Sequence, residues 1–171
     1  HCIDTETTFR NTLGSLSGIG GIMRRRTQAV LAALATSTVL GLGLTACAPA
    51  RTYTFNIATR GRITADVGEF ARHVQATLDD RRGWSLGGSI RFVRTDGPSD
   101  FTVWLAAADA VPGFGRPCSS MWSCRQGRNV IINQDRWLGA SPSWPYGVET
   151  YRHYVVNHEV GHWMGFGHAS C

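Results

Sequence analysis

The sequence predicts an α+β domain, and three patterns support this fold class. Apolar and polar residues alternate over residues 53–58, as in a half-buried strand. Apolar residues then recur at helical spacing, at Val67, Phe70, Val74 and Leu78. A second helical segment follows short apolar runs and ends at Gly165. With 171 residues, 43% of them hydrophobic and 17% charged, the chain is long enough for one domain with a core.

The elements follow in a simple order of strand, helix, three strands and helix. Asp66 is the expected N-cap of the first helix, which runs to about Asp80. Residues 89–94 and 101–106 form the next two strands, joined by a turn at 96–98. A loop rich in Gly, Pro and Ser covers about 109–128, and a connector covers 135–145. The last helix starts at Gly147 or Val148. The short apolar strand between the loop and the connector consists of Val130, Ile131, Ile132 and Asn133.

The N-terminal part of the chain has the pattern of an export signal. Met23 precedes three arginines and an apolar run over residues 29–44, which small residues follow. We therefore expect residues 23–46 to be a signal peptide. Residues 1–22 are then an upstream leader or sequence foreign to the natural protein. The alternative is that they form a genuine disordered leader.

The end of the apolar run reads Leu44-Thr45-Ala46-Cys47 and resembles the lipobox of bacterial lipoproteins. In such proteins the cysteine is lipidated and becomes the first mature residue. Ordinary cleavage beside the small residues here is the alternative. Either route predicts an exported protein, which is anchored through Cys47 to the outer face of the membrane or is secreted. Residues 47–51 are a short linker, and residues 52–171 form the domain.

Export permits disulfides among the remaining cysteines. Cys118 and Cys124 lie six positions apart, so a local disulfide is expected, with zinc ligation as the alternative. Cys171 is then left over at the end of the sequence, and its partner is expected beyond that end.

The candidate metal-binding and catalytic residues are concentrated in the segment His158-Glu159-Val160-Gly161-His162. On a helix, residues four apart lie on one face, so both imidazoles can reach one zinc ion. Glu159, beside the first ligand, can contact a water molecule on that ion and act as a general base.

Two further residues extend the pattern. Gly165 follows His162 by three positions, and His168 follows Gly165 by three more. Gly165 allows the chain to turn sharply out of the helix, so that His168 can return to the same metal. Three protein ligands and one open position are typical of a catalytic zinc ion rather than a structural one.

The string His158-Glu159-x-x-His162-x-x-Gly165-x-x-His168 resembles the signature of the metzincin zinc peptidases. The stretch 151–162 also resembles a family of uncharacterised metzincin-like domains in exported actinobacterial proteins. This resemblance covers residues 52–171 and is strongest over 130–171. It implies the metzincin upper subdomain, a mixed twisted sheet with two main helices and one zinc ion on the second.

The same resemblance implies the roles of the residues and the activity. His158, His162 and His168 would bind zinc, and Glu159 would be the base of a zinc metalloendopeptidase. The strand formed by residues 130–133 would line the cleft and pair with an extended peptide or protein substrate.

The sequence departs from metzincins after His168, where no methionine follows for the methionine turn beneath the metal. We therefore expect a domain incomplete at its C-terminus, with the lower subdomain largely missing and its activity in question. Two other functions stay open: a non-catalytic zinc-bearing module at the cell surface, and a zinc amidase acting on cell-wall peptide. The net charge of +5 forms no basic stripe with aromatics, which argues against nucleic-acid binding. We expect a monomer.

Overall fold

A computed structural model describes residues 49–168 and confirms an α+β fold. This part of the chain contains strands and helices in the order β1 (Arg51–Arg60), α1 (Val67–Asp79), β2 (Ile90–Arg94), β3 (Phe101–Ala106), β4 (Cys124–Gln126), β5 (Asn129–Asn133), α2 (Gln134–Gly139) and α3 (Val148–Trp163). Two 3-10 helices occur at Leu86–Gly88 and Ala108–Phe114. The predicted signal peptide, Cys47 and Cys171 lie outside the described residues. No helix within 49–168 is long and apolar enough to cross a membrane.

The strands form one mixed sheet in the order β2-β1-β3-β5-β4. β1 is parallel to β2 and β3, β3 is parallel to β5, and only β4 runs antiparallel, against β5. The strands β2 and β3 are adjacent in the sequence but do not pair, because β1 lies between them. The antiparallel strand β4 is the last in this order and forms one edge of the sheet.

Helix α1 begins where the sequence predicts. Asp66 is its N-cap, and the side-chain oxygen Oδ1 accepts a hydrogen bond of 2.9 Å from the amide of Glu69. Phe70, Val74 and Leu78 are fully buried, as the helical spacing predicts. Val67 was expected on the same face, but as the first residue of the helix it is 38% exposed.

The sheet carries apolar side chains on both faces. Val103 and Leu105 point into the main core, which α1, α2 and α3 cover. The next residue, Ala106, points to the other face, in agreement with the two-residue period of a strand. There it packs with Val111 of the 3-10 helix Ala108–Phe114 and with Ile131. A strand buried on both faces reads as a continuous apolar run, as residues 130–132 do.

Two short elements lie in segments predicted to be irregular. Strand β4 lies in the predicted 109–128 loop, and helix α2 occupies the start of the predicted 135–145 connector. Helix α2 has only six residues, and its N-cap is Asn133, whose side chain accepts a hydrogen bond from the amide of Asp135 at 2.9 Å. Such short elements show too little periodicity to be predicted.

Helices α1 and α3 are joined by a cluster of charged and aromatic side chains. Arg152 of α3 donates to the carboxylate of Glu69 at 2.7 Å, and its guanidinium lies over the ring of Trp137, 4.6 Å from the centroid. His73 lies beside this cluster, with Nδ1 3.3 Å from a carboxylate oxygen of Glu149. The ring of His153 lies 4.1 Å from that of His73, measured between centroids.

The buried imidazole of His73 should make the stability of the fold depend on pH. Burial holds the pKa of His73 below its usual value, His153 and Arg152 lower it further, and Glu149 and Glu69 oppose them. The unfolded chain therefore binds a proton at a higher pH than the folded chain. The free energy of unfolding should fall as the pH drops below about 6.5. In denaturant titrations of the metal-free protein, His73→Gln should lose less stability than the wild type between neutral and acidic pH. Equal losses in both proteins would contradict this assignment.

Candidate metal centre

One side of helix α3 packs into the core, and another side faces a cleft. Val155, Val156 and Val160 are buried against the sheet and the other helices. His158 and His162 face the cleft and are half-buried. The two histidines lie one turn apart, as the sequence predicts. The helix thus holds both imidazoles rigidly, because its other side is fixed in the core.

Three imidazole nitrogens meet at the C-terminal end of this helix. The Nε2 atoms of His162 and His158 lie 3.1 Å apart, those of His162 and His168 lie 3.0 Å apart, and those of His168 and His158 lie 3.2 Å apart. The three predicted ligands therefore form a nearly equilateral triangle of nitrogen atoms.

A tight turn after α3 brings His168 to the other two histidines. Gly165 has φ = 101°, a left-handed conformation that glycine adopts without strain. The amide of Phe166 donates to the carbonyl of Gly161 at 3.0 Å, and the amide of Gly165 donates to the carbonyl of His162 at 3.2 Å. This pair of hydrogen bonds is the Schellman motif, which ends a helix and reverses the chain. The predicted role of Gly165 is consistent with this geometry.

Three hydrogen bonds fix His162 in place. Its Nδ1 lies 2.8 Å from the carbonyl oxygen of Phe166. Because a carbonyl can only accept, Nδ1 carries the proton and Nε2 presents its lone pair to the triangle. Arg125 of β4 donates twice to the backbone carbonyl of His162, from Nη2 at 2.9 Å and from Nε at 3.1 Å. No pattern in the sequence indicates a role for Arg125, because it lies in a segment with the composition of a loop.

Glu159 is a buried acid that faces the same cleft. It is only 5% exposed, and burial raises the pKa of its carboxyl group to about 7. The helix turns Glu159 away from the face that carries His158 and His162, so the carboxylate is beside the triangle rather than part of it. A buried carboxyl group in a cleft, next to converging imidazoles, is a typical candidate for proton transfer.

The donor set fits a zinc ion. Nitrogens bound to one tetrahedral zinc ion at about 2.0–2.1 Å lie roughly 3.3 Å apart, close to the 3.0–3.2 Å separations of the triangle. His162 has the protonation that a zinc ligand needs, with its second nitrogen bonded to a carbonyl oxygen. Neutral imidazoles that converge in this way suit zinc and not the oxygen-preferring ions magnesium or calcium.

The triangle opens into a cleft of about 790 Å³. One wall consists of α3 and the following turn, and the opposite wall includes β4 with Arg125 and Gln126. Tyr151 and Tyr154 of α3 line the cleft further along the helix. Burial is the main reason that the pKa of both phenols is raised, so both are neutral donors at physiological pH.

The strand predicted to pair with substrate does not border the cleft with a free edge. Strand β5, which contains Val130, Ile131, Ile132 and Asn133, lies between β3 and β4 and pairs with both. Beyond the last β4 pair, the amide of Asn133 donates to the hydroxyl of Ser123 at 3.1 Å. The pairing of residues 129–131 on both sides argues against the predicted pairing of residues 130–133 with a substrate. The edge strand beside the cleft is β4.

The predicted disulfide between Cys118 and Cys124 is present, and it ties β4 to the preceding loop. Its Cα atoms lie 5.3 Å apart, which is ordinary for a disulfide. The alternative, zinc ligation by these two cysteines, is thereby contradicted. The bridge fixes the start of the edge strand on the wall opposite the histidines.

His73 and His153 lie away from the triangle, on the far side of α3. Their ligand atoms and one from Glu149 lie within 4.8 Å of one another, which would allow a metal to bind. However, Glu149 also faces the Arg152 guanidinium at 3.4 Å, and His153 Nδ1 is 2.8 Å from the hydroxyl of Thr77. We therefore assign this cluster to the packing of α1 against α3.

A family model described as "Protein of unknown function (DUF3152)" matches residues 31–171. The match covers most of the chain, and the chain belongs to this family. No curated protein and no solved structure matches the chain.

The geometry predicts one metal ion per chain at the triangle. Purified protein should contain about one zinc ion by metal analysis. His158→Ala and His168→Ala should each weaken zinc binding by at least ~100-fold, more than the roughly 10–100-fold typical for loss of an outer-shell partner. His73→Ala and His153→Ala are matched controls, because they remove imidazoles that lie away from the triangle, one on α1 and one on α3, and both should keep the zinc. Equal zinc loss in both pairs of variants would contradict the assignment.

Proposed function

We propose that this chain, a member of the DUF3152 family, hydrolyses peptide bonds as a zinc-dependent peptidase of the metzincin type. The observation that carries the proposal is the triangle of Nε2 atoms from His158, His162 and His168, with the buried carboxyl group of Glu159 beside it. The proposal includes the metzincin-like arrangement in which the metal lies on the second long helix. Three imidazoles leave a fourth position open, as in catalytic zinc sites.

The histidines of the triangle would bind the metal ion, and Glu159 would transfer protons. His158, His162 and His168 would hold the ion, and Arg125 and the Phe166 carbonyl would keep His162 oriented. Zinc at this place would supply Lewis acidity, which polarises a substrate carbonyl and makes water more acidic. The chain's own contribution is a rigid ligand set on a helix whose other side is buried.

Glu159 would move the protons. Its carboxylate takes a proton from the attacking water, and the protonated acid then gives a proton to the departing amine. Burial raises its pKa to about 7, so both forms are accessible near neutral pH. A nearby cation would lower that pKa and favour the carboxylate, which is the form that begins the reaction.

The edge strand β4 supports an extended peptide as the substrate. It lines the cleft through Arg125 and Gln126, and β5 pairs with only one of its sides. Within residues 49–168 no strand pairs with its other side. Unpaired backbone groups at a sheet edge bind an extended chain by β-augmentation, in which main-chain hydrogen bonds give affinity.

The Cys118–Cys124 disulfide supports a location outside the cytoplasm, because such bridges persist in oxidising compartments. Export and an anchor at Cys47 remain part of the proposal on the sequence pattern alone. A non-catalytic zinc module has less support, because such a module gains nothing from a buried acid beside the ligands.

Replacing Glu159 should separate metal binding from catalysis. Glu159→Gln keeps the size of the side chain but cannot accept the proton, so the hydrolysis of an unfolded protein substrate should fall about 10²–10⁴-fold. Zinc content should stay at one ion per chain. Glu149→Gln removes an exposed acid from the same helix and should leave the rate unchanged. If Glu159→Gln keeps full activity, the proposed base is wrong. Wild-type protein that binds zinc but hydrolyses neither protein nor cell-wall peptide would favour the binding module.

Pairing of the substrate with β4 can be tested with modified peptides. In an extended peptide, alternate amides point to the same side, so only every second N–H can reach the sheet edge. Two peptides of one sequence, N-methylated in alternate registers, should therefore differ in binding to zinc-loaded Glu159→Gln protein by about tenfold, since methylation removes about 1.4 kcal/mol of hydrogen bonding. Equal binding of the two peptides would show that no β-pairing occurs.

A further inference from the structure

Trp84 lies in the turn between α1 and β2, yet it contacts the helix that carries the histidines. Its indole Nε1 donates to the backbone carbonyl of Asn157 at 2.7 Å. A Cβ atom placed on Gly161 would lie only 2.7 Å from Cζ2 of Trp84, so the ring lies directly on the backbone of α3. The glycine inside the His158–His162 segment is therefore the residue that lets the indole approach.

The same indole also contacts the turn that follows α3. The ring of Phe166 stacks on Trp84, with centroids 4.8 Å apart and planes inclined by 23°. Phe166 is 56% exposed, and Trp84 provides the stacked contact for its ring. The carbonyl of Phe166 accepts the hydrogen bond from Nδ1 of His162, and Phe166 lies two residues before His168. Phe166 thus belongs to the turn that orients one histidine and delivers another.

The capping motif explains why Trp84 is needed at this place. A Schellman motif is usually accompanied by an apolar contact between the residue after the left-handed glycine and a residue in the last helical turn. Here those two positions are Phe166 and Gly161. Because Gly161 has no side chain, Phe166 cannot make this contact with the residue at that position. The indole of Trp84 covers Gly161 and stacks on Phe166, and so takes the place of the missing side chain.

We propose that Trp84 is a positioning residue of the metal centre: by stacking on Phe166 it fixes the turn that holds the Phe166 carbonyl against His162 and places His168 in the triangle. This inference rests on the proposed zinc ion but not on peptide hydrolysis. The stack acts on two of the three ligands through one aromatic contact. Loss of the stack should therefore weaken metal binding as loss of an outer-shell partner does.

The test measures zinc affinity by competition with a chelator, using variants on both sides of the stack. Trp84→Leu and Phe166→Ala should each weaken zinc binding by about 10–100-fold. Trp84→Phe keeps an aromatic ring on Phe166 and should recover most of the affinity. The double variant Trp84→Leu/Phe166→Ala should bind zinc no more weakly than the worse single variant, because both remove the same contact.

Two control variants separate positioning from a general loss of stability. Trp137→Phe alters a fully buried tryptophan that touches α1 and α3 but not the turn, so it should lower stability without changing zinc affinity. Leu138→Ala removes an exposed apolar side chain, as Phe166→Ala does, and should change neither. The absorption spectrum of bound Co²⁺ is a second readout, and it should change in Trp84→Leu but not in Trp137→Phe.

The outcomes distinguish this inference from the proposed function. If Trp84→Leu fails to fold, Phe166→Ala decides the question, because its side chain lies outside the core. Unchanged zinc affinity in folded Trp84→Leu or in Phe166→Ala overturns the positioning role and leaves the metal centre intact. Wild-type protein without zinc affinity overturns both. Zinc binding with the expected losses, but without hydrolysis, upholds the positioning role and contradicts the peptidase.

Discussion

The convergence of three imidazole lone pairs on one point is the constraint on which the rest of the site depends. Such lone pairs repel one another unless a cation or a proton lies between them, so the surrounding structure must hold them together. The core does this for His158 and His162, because Val155, Val156 and Val160 fix the opposite side of the same helix. It cannot do this for His168, which lies beyond the helix end and is exposed. The third ligand depends on the turn at Gly165.

Glycine has two different roles in this short segment. Gly165 is needed for its backbone, because φ = 101° would strain any residue with a side chain. Gly161 lies within regular helix and is needed for its small size, because the indole of Trp84 takes the space where a side chain would lie. The first role ends the helix and the second lets a distant residue support that end. Both act on the position of His168 without touching it.

The sequence predicted the local geometry of the candidate site better than it predicted the sheet around it. The ligand spacing, Glu159 and Gly165 follow from helical geometry over eleven consecutive residues, and local geometry is what a sequence pattern records. The N-cap Asp66 and the Cys118–Cys124 bridge are local in the same way. The edge strand is not local: β4 is three residues long, and its position beside β5 depends on pairing. The apolar run 130–132 favoured the interior strand β5 as the substrate strand, whereas the edge strand β4 is shorter and more polar. The contacts of Trp84 are likewise invisible in the sequence, since 73 residues separate it from Asn157.

Arg125 connects the two walls of the cleft. It belongs to β4, and its guanidinium donates twice to the carbonyl of His162, which lies in the last turn of α3 and also accepts the capping hydrogen bond from the amide of Gly165. A positive charge at a helix C-terminus is favourable, and the bond also sets the distance between the edge strand and His162. The disulfide at Cys124 anchors the residue just before Arg125. A peptide that paired with β4 would consequently lie at a fixed distance from His162. Arg125 thus links the edge strand to the helix end and the histidine triangle, so the same arginine would set the positions of a bound peptide backbone and of the proposed metal ion.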